Sequence, residues 1–180
     1  MSGHSHWAGI KHKKEITDKK RGQIFSKLLA AISAAAKTEP NPAFNPRLRT
    51  AVETAKENKV PADNIERAIK KASDASANLE ELTFEAYGPS GVALIIEAIT
   101  DSRNRAVAEI KKILGDHGAK WAEPGSVAWA FEQSRAENGT IVWKAKFPQE
   151  ISEEDGVKLS ELVEALEDQN DVQEIYTNAE

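Results

Sequence analysis

The period of the apolar residues changes near residue 78, and that change constrains the fold more than any other feature of the chain. Before it, apolar side chains recur at helical spacing; after it, they run together or alternate as in strands. From Thr17 onward Ile24, Phe25, Leu28, Leu29 and Ile32 fall on one helix face, with Lys19, Lys20, Gln23 and Lys27 elsewhere. After TEPNPAFNP the helical pattern restarts, with Asn45 suited to an N-cap and Pro46 to the first helical position, and Leu48, Val52 and Ala55 form a short stripe. Pro61 opens a third segment in which Ile65, Ala68, Ile69 and Ala72 repeat the i, i+3, i+4 spacing. Three short amphipathic helices predict one small bundle. The stretch SDASANLEEL that follows has no apolar stripe and reads as a linker.

Beyond the linker, GVALIIEAIT is a β-branched apolar run bounded by glycine, which predicts a central strand. DSRNRAVAEIKKILGDHG predicts a helix with Val107, Ile110, Ile113 and Leu114 inward. SVAWAFEQ and TIVWKAKF predict two strands joined through ENG as a hairpin, the second alternating Ile141, Trp143, Ala145 and Phe147 on one face. SEED predicts a capped helix start, with Ser152 and Asp155 exchanging bonds ahead of Leu159, Leu162, Val163 and Leu166. VQEIYTN predicts a last strand. The expected fold is α+β: residues 1–78 form a basic arm and a three-helix bundle, and residues 79–180 form a ferredoxin-like β-α-β-β-α-β plait. Its sheet is expected to be antiparallel, with both helices on one face and an additional strand at TFEAY.

Charge is distributed unevenly along the 180 residues. Residues 1–27 carry seven Lys/Arg and two acids, a balance of +5, which leaves −10 for the remainder of a chain whose formal net charge is −5. Such asymmetry points to a polyanion contact at one end, either nucleic acid or a membrane surface. From residue 150 there are eleven acids and only Lys158, so this end repels phosphate and suits solvent or a basic protein surface. The chain has no cysteine, which excludes disulfides and thiolate metal sites. It has no apolar stretch near the roughly 20 residues that span a bilayer, so a cytoplasmic protein without membrane association is expected. The Lys- and Ser-rich arm also has the amphipathic character of a transit peptide, against which stand its single Arg and two acids.

The arm supplies the leading candidate site. Lys11, Lys13, Lys14, Lys19, Lys20, Arg21 and Lys27 are placed to neutralise phosphates, while His6, Trp7 and His12 offer rings that stack on unpaired bases. The alternative is a solvated charge run with Trp7 against the bundle. Arg103 and Arg105 sit at a strand-to-helix junction, where free backbone N–H groups favour an anion. There the alternative is that Asp101 or Ser102 caps the helix and the arginines pair with Glu97, Glu109 or other nearby acids. YGPSG is a turn; without a following Lys and Ser/Thr it is not a phosphate loop. His4, His6 and His12 match no zinc spacing, although removal of Met1 would leave a Ser-Gly-His terminus able to chelate Cu(II) or Ni(II). No catalytic Ser/His/Asp order or HExxH motif occurs, so neither enzyme activity, nor a cofactor, nor a metal, nor a small-molecule substrate is expected.

The segments GHSHWAGIKHKK, KRGQIFSKL, NPRLRTAVETAK, DNIERAIKKA, EAYGPSGVALIIEAITDSRNR and GSVAWAF resemble, in order and spacing, the YebC/PmpR family and its mitochondrial translational-activator relatives. That resemblance implies a non-enzymatic, nucleic-acid-associated protein. Typical members insert another α/β domain after the segment like GSVAWAF and then return to a sequence like SEEDGVKLSELVEALEDQNDVQEIYTNAE; here ENG joins the two sides directly, near residues 134–140. A second departure is GAKWAEPGSVAW, where Lys120, Trp121 and Ala122 replace smaller residues. The resemblance implies a ribosome-associated translation factor that holds ribosomal RNA through the basic end, with ribosomal proteins as further partners of the acidic end. The DNA-binding transcriptional regulator, the alternative, would use PRLRTAVETAKENKVPADNIERAIKK as a helix-turn-helix; Asp63 and Glu66 at the front of its recognition helix oppose that reading.

Overall fold

The computed structural model describes residues 17–74 and 78–180. Three helices open it: α1 (Asp18–Ala36), α2 (Pro46–Glu57) and α3 (Ala62–Ala72). Their apolar stripes meet around Ile32, Leu48, Ala55, Val60 and Ile65, with Phe25, Leu28 and Leu29 packed on the periphery. Asn45 ties the bundle together. Its side chain accepts from Leu48 N (3.0 Å) as the cap of α2 and donates to Ala35 O (2.9 Å) and Glu39 O (2.8 Å), so one buried amide finishes one helix and starts the next.

The remainder is a mixed α+β unit with an antiparallel sheet of β1 (Glu80–Tyr87), β2 (Ala93–Thr100), β3 (Lys120–Ala122) and β6 (Val172–Thr177), in the order β3-β1-β2-β6. Helices α4 (Arg103–Asp116) and α5 (Glu153–Glu167) lie on one face. There Leu82, Phe84, Leu94 and Ile96 meet Ile110, Leu114, Leu159 and Leu162, as strand alternation and helix spacing require. GVALIIEAIT is a central strand, as expected, and GPSG is a tight turn joining β1 to β2, with Ser90 at φ 57°. Ser152 caps α5 by accepting from Asp155 N (3.1 Å), and the return bond runs from its hydroxyl to Asp155 Oδ2 (2.9 Å).

The expected strand at TFEAY forms as part of the longer β1, which begins at Glu80, within the stretch read as a linker, and pairs along its full length with β2. The expected hairpin does form, β4 (Phe131–Arg135) against β5 (Ile141–Ala145), with Gln133 opposite Trp143, but it makes a separate two-stranded sheet. The chain order through the main sheet is therefore β-β-α-β-α-β. The cause is Glu85, whose buried carboxylate accepts from Gly125 N (2.6 Å), Val127 N (2.7 Å) and Ala128 N (3.0 Å). Those three bonds curl Ser126–Ala130 into a turn and 3-10 helix, so extended structure begins only at Phe131. The hairpin then lies across the face of the sheet opposite the helices, where Val127, Phe131 and Trp143 cover Ala93, Ile95 and Tyr176. Its turn closes through Ala136 N to Thr140 O (2.9 Å) and Gly139 N to Ala136 O (2.9 Å), with Gly139 at φ 82°, a conformation that favours glycine.

Candidate nucleic-acid interface

Of the arm's candidates, His6, Trp7, Lys11, His12, Lys13 and Lys14 lie outside the described residues. The rest fall on α1, and its helical period splits them. Lys19 is exposed and has no acidic partner among the described residues, and exposed Arg21 reaches only Asp18, 3.7 Å away. Lys20 faces the other way, 3.8 Å from Asp168. Lys27, one turn further on, donates to the carbonyl of Glu167 at the end of α5. Burial lowers the Lys27 ammonium pKa below its ordinary value, while Glu167, Asp168, Asp171 and Glu174 act in the opposite direction. Between these two lysines Gln23 donates to Asp168 O and to Asn170 Oδ1 (3.0 Å), and Gln173 donates back to Lys27 O (3.2 Å). Lys20 and Lys27, read from the sequence as phosphate ligands, thus fasten the bundle to the acidic end of the plait. The negative end of α5 suits them there.

Arg103 and Arg105 are also taken up internally. Ser102 caps α4 by accepting from Arg105 N (3.4 Å). Arg103 pairs with Glu80 (3.1 Å), and Arg105 bridges Asp101 (2.8 Å) and Asp171 (3.0 Å), which raise its pKa. The partners are Glu80, Asp101 and Asp171 rather than Glu97 or Glu109. Glu97 instead accepts from Trp143 Nε1 (2.9 Å) beneath the hairpin, and burial raises its pKa.

The bundle carries further cations that the sequence reading passed over. Lys56 and Lys59 stand at the end of α2, and Lys70 and Lys71 in the last turn of α3. All four are exposed, and none has an acidic partner among the described residues. Lys59 meets Arg21, Phe25 and Asn58 around a cleft of about 420 Å³ where α1 begins and α2 ends. Its backbone is left-handed (φ 62°) and closes α2 with Lys59 N to Lys56 O (2.9 Å) and Val60 N to Ala55 O (3.0 Å), a role that glycine usually fills. Residues 1–74 hold fifteen Lys/Arg and eight acids, a balance of +7, against nine and twenty-one in 78–180, a balance of −12. The molecule therefore has a basic end, whose exposed lysines Lys19, Lys56, Lys59, Lys70 and Lys71 have no acidic partner among the described residues, and an acidic end, joined by polar bonds.

Comparison with known proteins matches residues 5–75 to the TACO1/YebC protein N-terminal domain, and residues 79–136 and 132–179 to the TACO1/YebC second and third domain. The chain belongs to the TACO1/YebC family. The two parts of the second match meet within β4 and its turn. A "probable transcriptional regulatory protein" of Chlorobium luteolum is 44% identical over 181 residues, covering 98% of this chain and 69% of that one. Another of that name from Pelodictyon phaeoclathratiforme is 52% identical over 136 residues, 74% of this chain and 54% of its own. The chain thus spans little more than half the length of several curated TACO1/YebC relatives. The crystal structure of the conserved hypothetical protein Aq1575 from Aquifex aeolicus superposes with a TM-score of 0.86 at 33% identity, covering 98% of this chain and 97% of that one. Among the described residues, no helix is long and apolar enough to cross a membrane.

Proposed function

We propose that this TACO1/YebC member is a non-enzymatic, cytoplasmic, nucleic-acid-binding regulator of gene expression that docks on ribosomal RNA through its basic bundle and arm. The observation that carries this reading is the division of charge: exposed cations Lys19, Arg21, Lys56, Lys59 and Lys70 on the bundle, and a plait whose cations are outnumbered by acids. Such a molecule approaches a polyanion with one end and turns the other to solvent or to basic proteins, such as those of the ribosome. In this reading the arm residues His6, Trp7 and His12 enter a structured or single-stranded pocket ahead of the helices. The plait closes through the short Ala136–Thr140 turn where longer members insert a domain.

The names of the relatives favour a second reading, a DNA-binding transcriptional regulator. As a recognition helix, however, α3 presents Asp63 and Glu66 to solvent, while Asn64, Arg67 and Lys71 line a cleft whose other wall is the plait. A duplex groove has no clear approach to that stripe. Co-sedimentation with ribosomes at low and high salt, beside duplex-DNA binding at the same salts, separates the two. Salt-sensitive ribosome association is expected; absence from ribosomes together with strong preference for one duplex sequence would overturn the RNA reading.

A further inference from the structure

We propose that the cleft between the bundle and the plait is a receptor for one unpaired nucleotide of a bound strand, a reading that rests on the nucleic-acid function above and adds a second contact to it. The cleft has a volume of about 830 Å³, within the range of small-ligand sites, and lies between two domains, where such sites concentrate. Part of its lining is apolar: Leu29 and Ala30 of α1 with Leu79 and Ile99 of the plait. A base entering the cleft covers that apolar surface.

The donors stand on one wall. Asn64, Arg67 and Lys71 are spaced i, i+3, i+7 along α3 and all line the cleft. The Arg67 guanidinium is held in place, donating to Asn64 Oδ1 (2.8 Å) and Asp63 O (3.2 Å), which leaves further N–H groups for a phosphate. Lys71 has no acidic partner among the described residues. Because Asn64 Oδ1 accepts from Arg67, its amide N–H₂ remains to meet an acceptor on a base edge; Asn170, whose Oδ1 accepts from Gln23, is placed alike across the cleft. The acids of the far wall, Asp101 and Asp171, are both held by Arg105 and do not confront an entering phosphate unscreened. A double helix is too broad to enter between the domains, whereas a splayed base is flat enough.

The test compares a 12-nucleotide oligoadenylate RNA with a 12-base-pair RNA duplex at one salt concentration, by fluorescence anisotropy on the full chain. Ser26→Trp places an indole in the cleft from an exposed position, and Asn64→Ala removes one donor without changing charge. Each is expected to weaken oligoadenylate binding about tenfold, Ser26→Trp by filling space the base would enter and Asn64→Ala by removing an amide donor and the Oδ1 that holds Arg67, while duplex affinity moves by no more than about twofold. Equal losses on both probes, or none, would overturn the cleft assignment while leaving the nucleic-acid reading intact; absence of any binding by the wild-type chain would remove both. Wild-type protein crosslinked to a 4-thiouridine-bearing strand provides a measurement independent of any variant. Crosslinks within 26–33, 64–71, 78–79, 99–105 or 170–171, the segments that line the cleft, support the proposal, and crosslinks confined to other segments refute it.

Discussion

If the cations where α1 begins and α2 ends grip phosphate, replacing Arg21, Lys56 and Lys59 together by alanine must flatten the salt dependence of RNA binding by a calculable amount. Each neutralised phosphate contributes about 0.7 to the slope of log K against log salt for an unpaired strand and about 0.9 for a duplex, so three lost contacts reduce its magnitude by about 2.1 or 2.7. Over a fourfold rise in salt the wild-type chain then loses roughly 20-fold more affinity for an unpaired strand than the variant does. Folding should be nearly unaffected, because Lys56 and Lys59 have no acidic partner among the described residues and the Arg21–Asp18 pair, 3.7 Å apart and exposed, stabilises little. Lys20→Ala with Lys27→Ala is the internal control. These lysines hold Asp168 and the Glu167 carbonyl, so their loss should lower the melting temperature by several degrees and leave the slope almost unchanged. Anisotropy titrations at four salt concentrations, with thermal melts beside them, decide the matter. An unaltered slope in the triple variant, or a flattening of similar size in the control, would refute the division of α1 into a ligand face and an interdomain face.

Three further outcomes follow from individual contacts. Lys59→Gly relieves a left-handed backbone and should stabilise the chain by about 1 kcal/mol in urea unfolding, whereas Lys59→Ala should not. Glu85→Gln leaves at least one of three buried amide N–H groups facing an NH₂, and should cost about 2 kcal/mol and hasten hydrogen exchange at Val127 and Ala128; unchanged exchange there would mean the carboxylate does not anchor the turn. Glu97, its pKa raised by burial above the ordinary 4.5, binds its proton more tightly in the folded than in the unfolded chain. Its contribution is therefore full below pH 4.5 and is lost as pH rises through the folded value, so the melting temperature of Glu97→Gln should gain on that of wild type across that window. A constant difference would show that Glu97 does not titrate there.

Local chemistry made much of this fold legible. Asn45-Pro46 marked a helix start because cap geometry is set within four residues, and Asn138-Gly139 marked a hairpin turn for the same reason. β3 was illegible because Lys120–Ala122 is three residues long with no alternation to detect; it is a strand only because β1 offers it an edge at Glu85–Tyr87. Glu85 looks solvent-facing in the alternation of TFEAY, yet it is buried because amides forty residues away converge on it. The charge of the arginines of TDSRNR is legible in the sequence, but Asp171, the buried partner of Arg105, lies 66 positions further along the chain.

The candidate interface was half legible for a related reason. Lys19, Lys20, Arg21 and Lys27 are chemically alike, and only a partner from the far end of the chain divides them. The spacing of Lys20, Gln23 and Lys27 marks one face of α1, but the occupant of that face, residues 167–173, cannot be inferred from the helix itself. In a chain with opposite charge at its two ends, some attraction between those ends is inevitable, and if every basic residue joined in, none would remain for a ligand. The contact is limited instead by geometry. The end of α5 offers carbonyls and one carboxylate to a single stripe of α1, so it engages Lys20 and Lys27 and leaves Arg21, on the adjacent face, beside Lys59 and facing outward. Docking the bundle on its acidic neighbour thus selects which cations of α1 stay exposed.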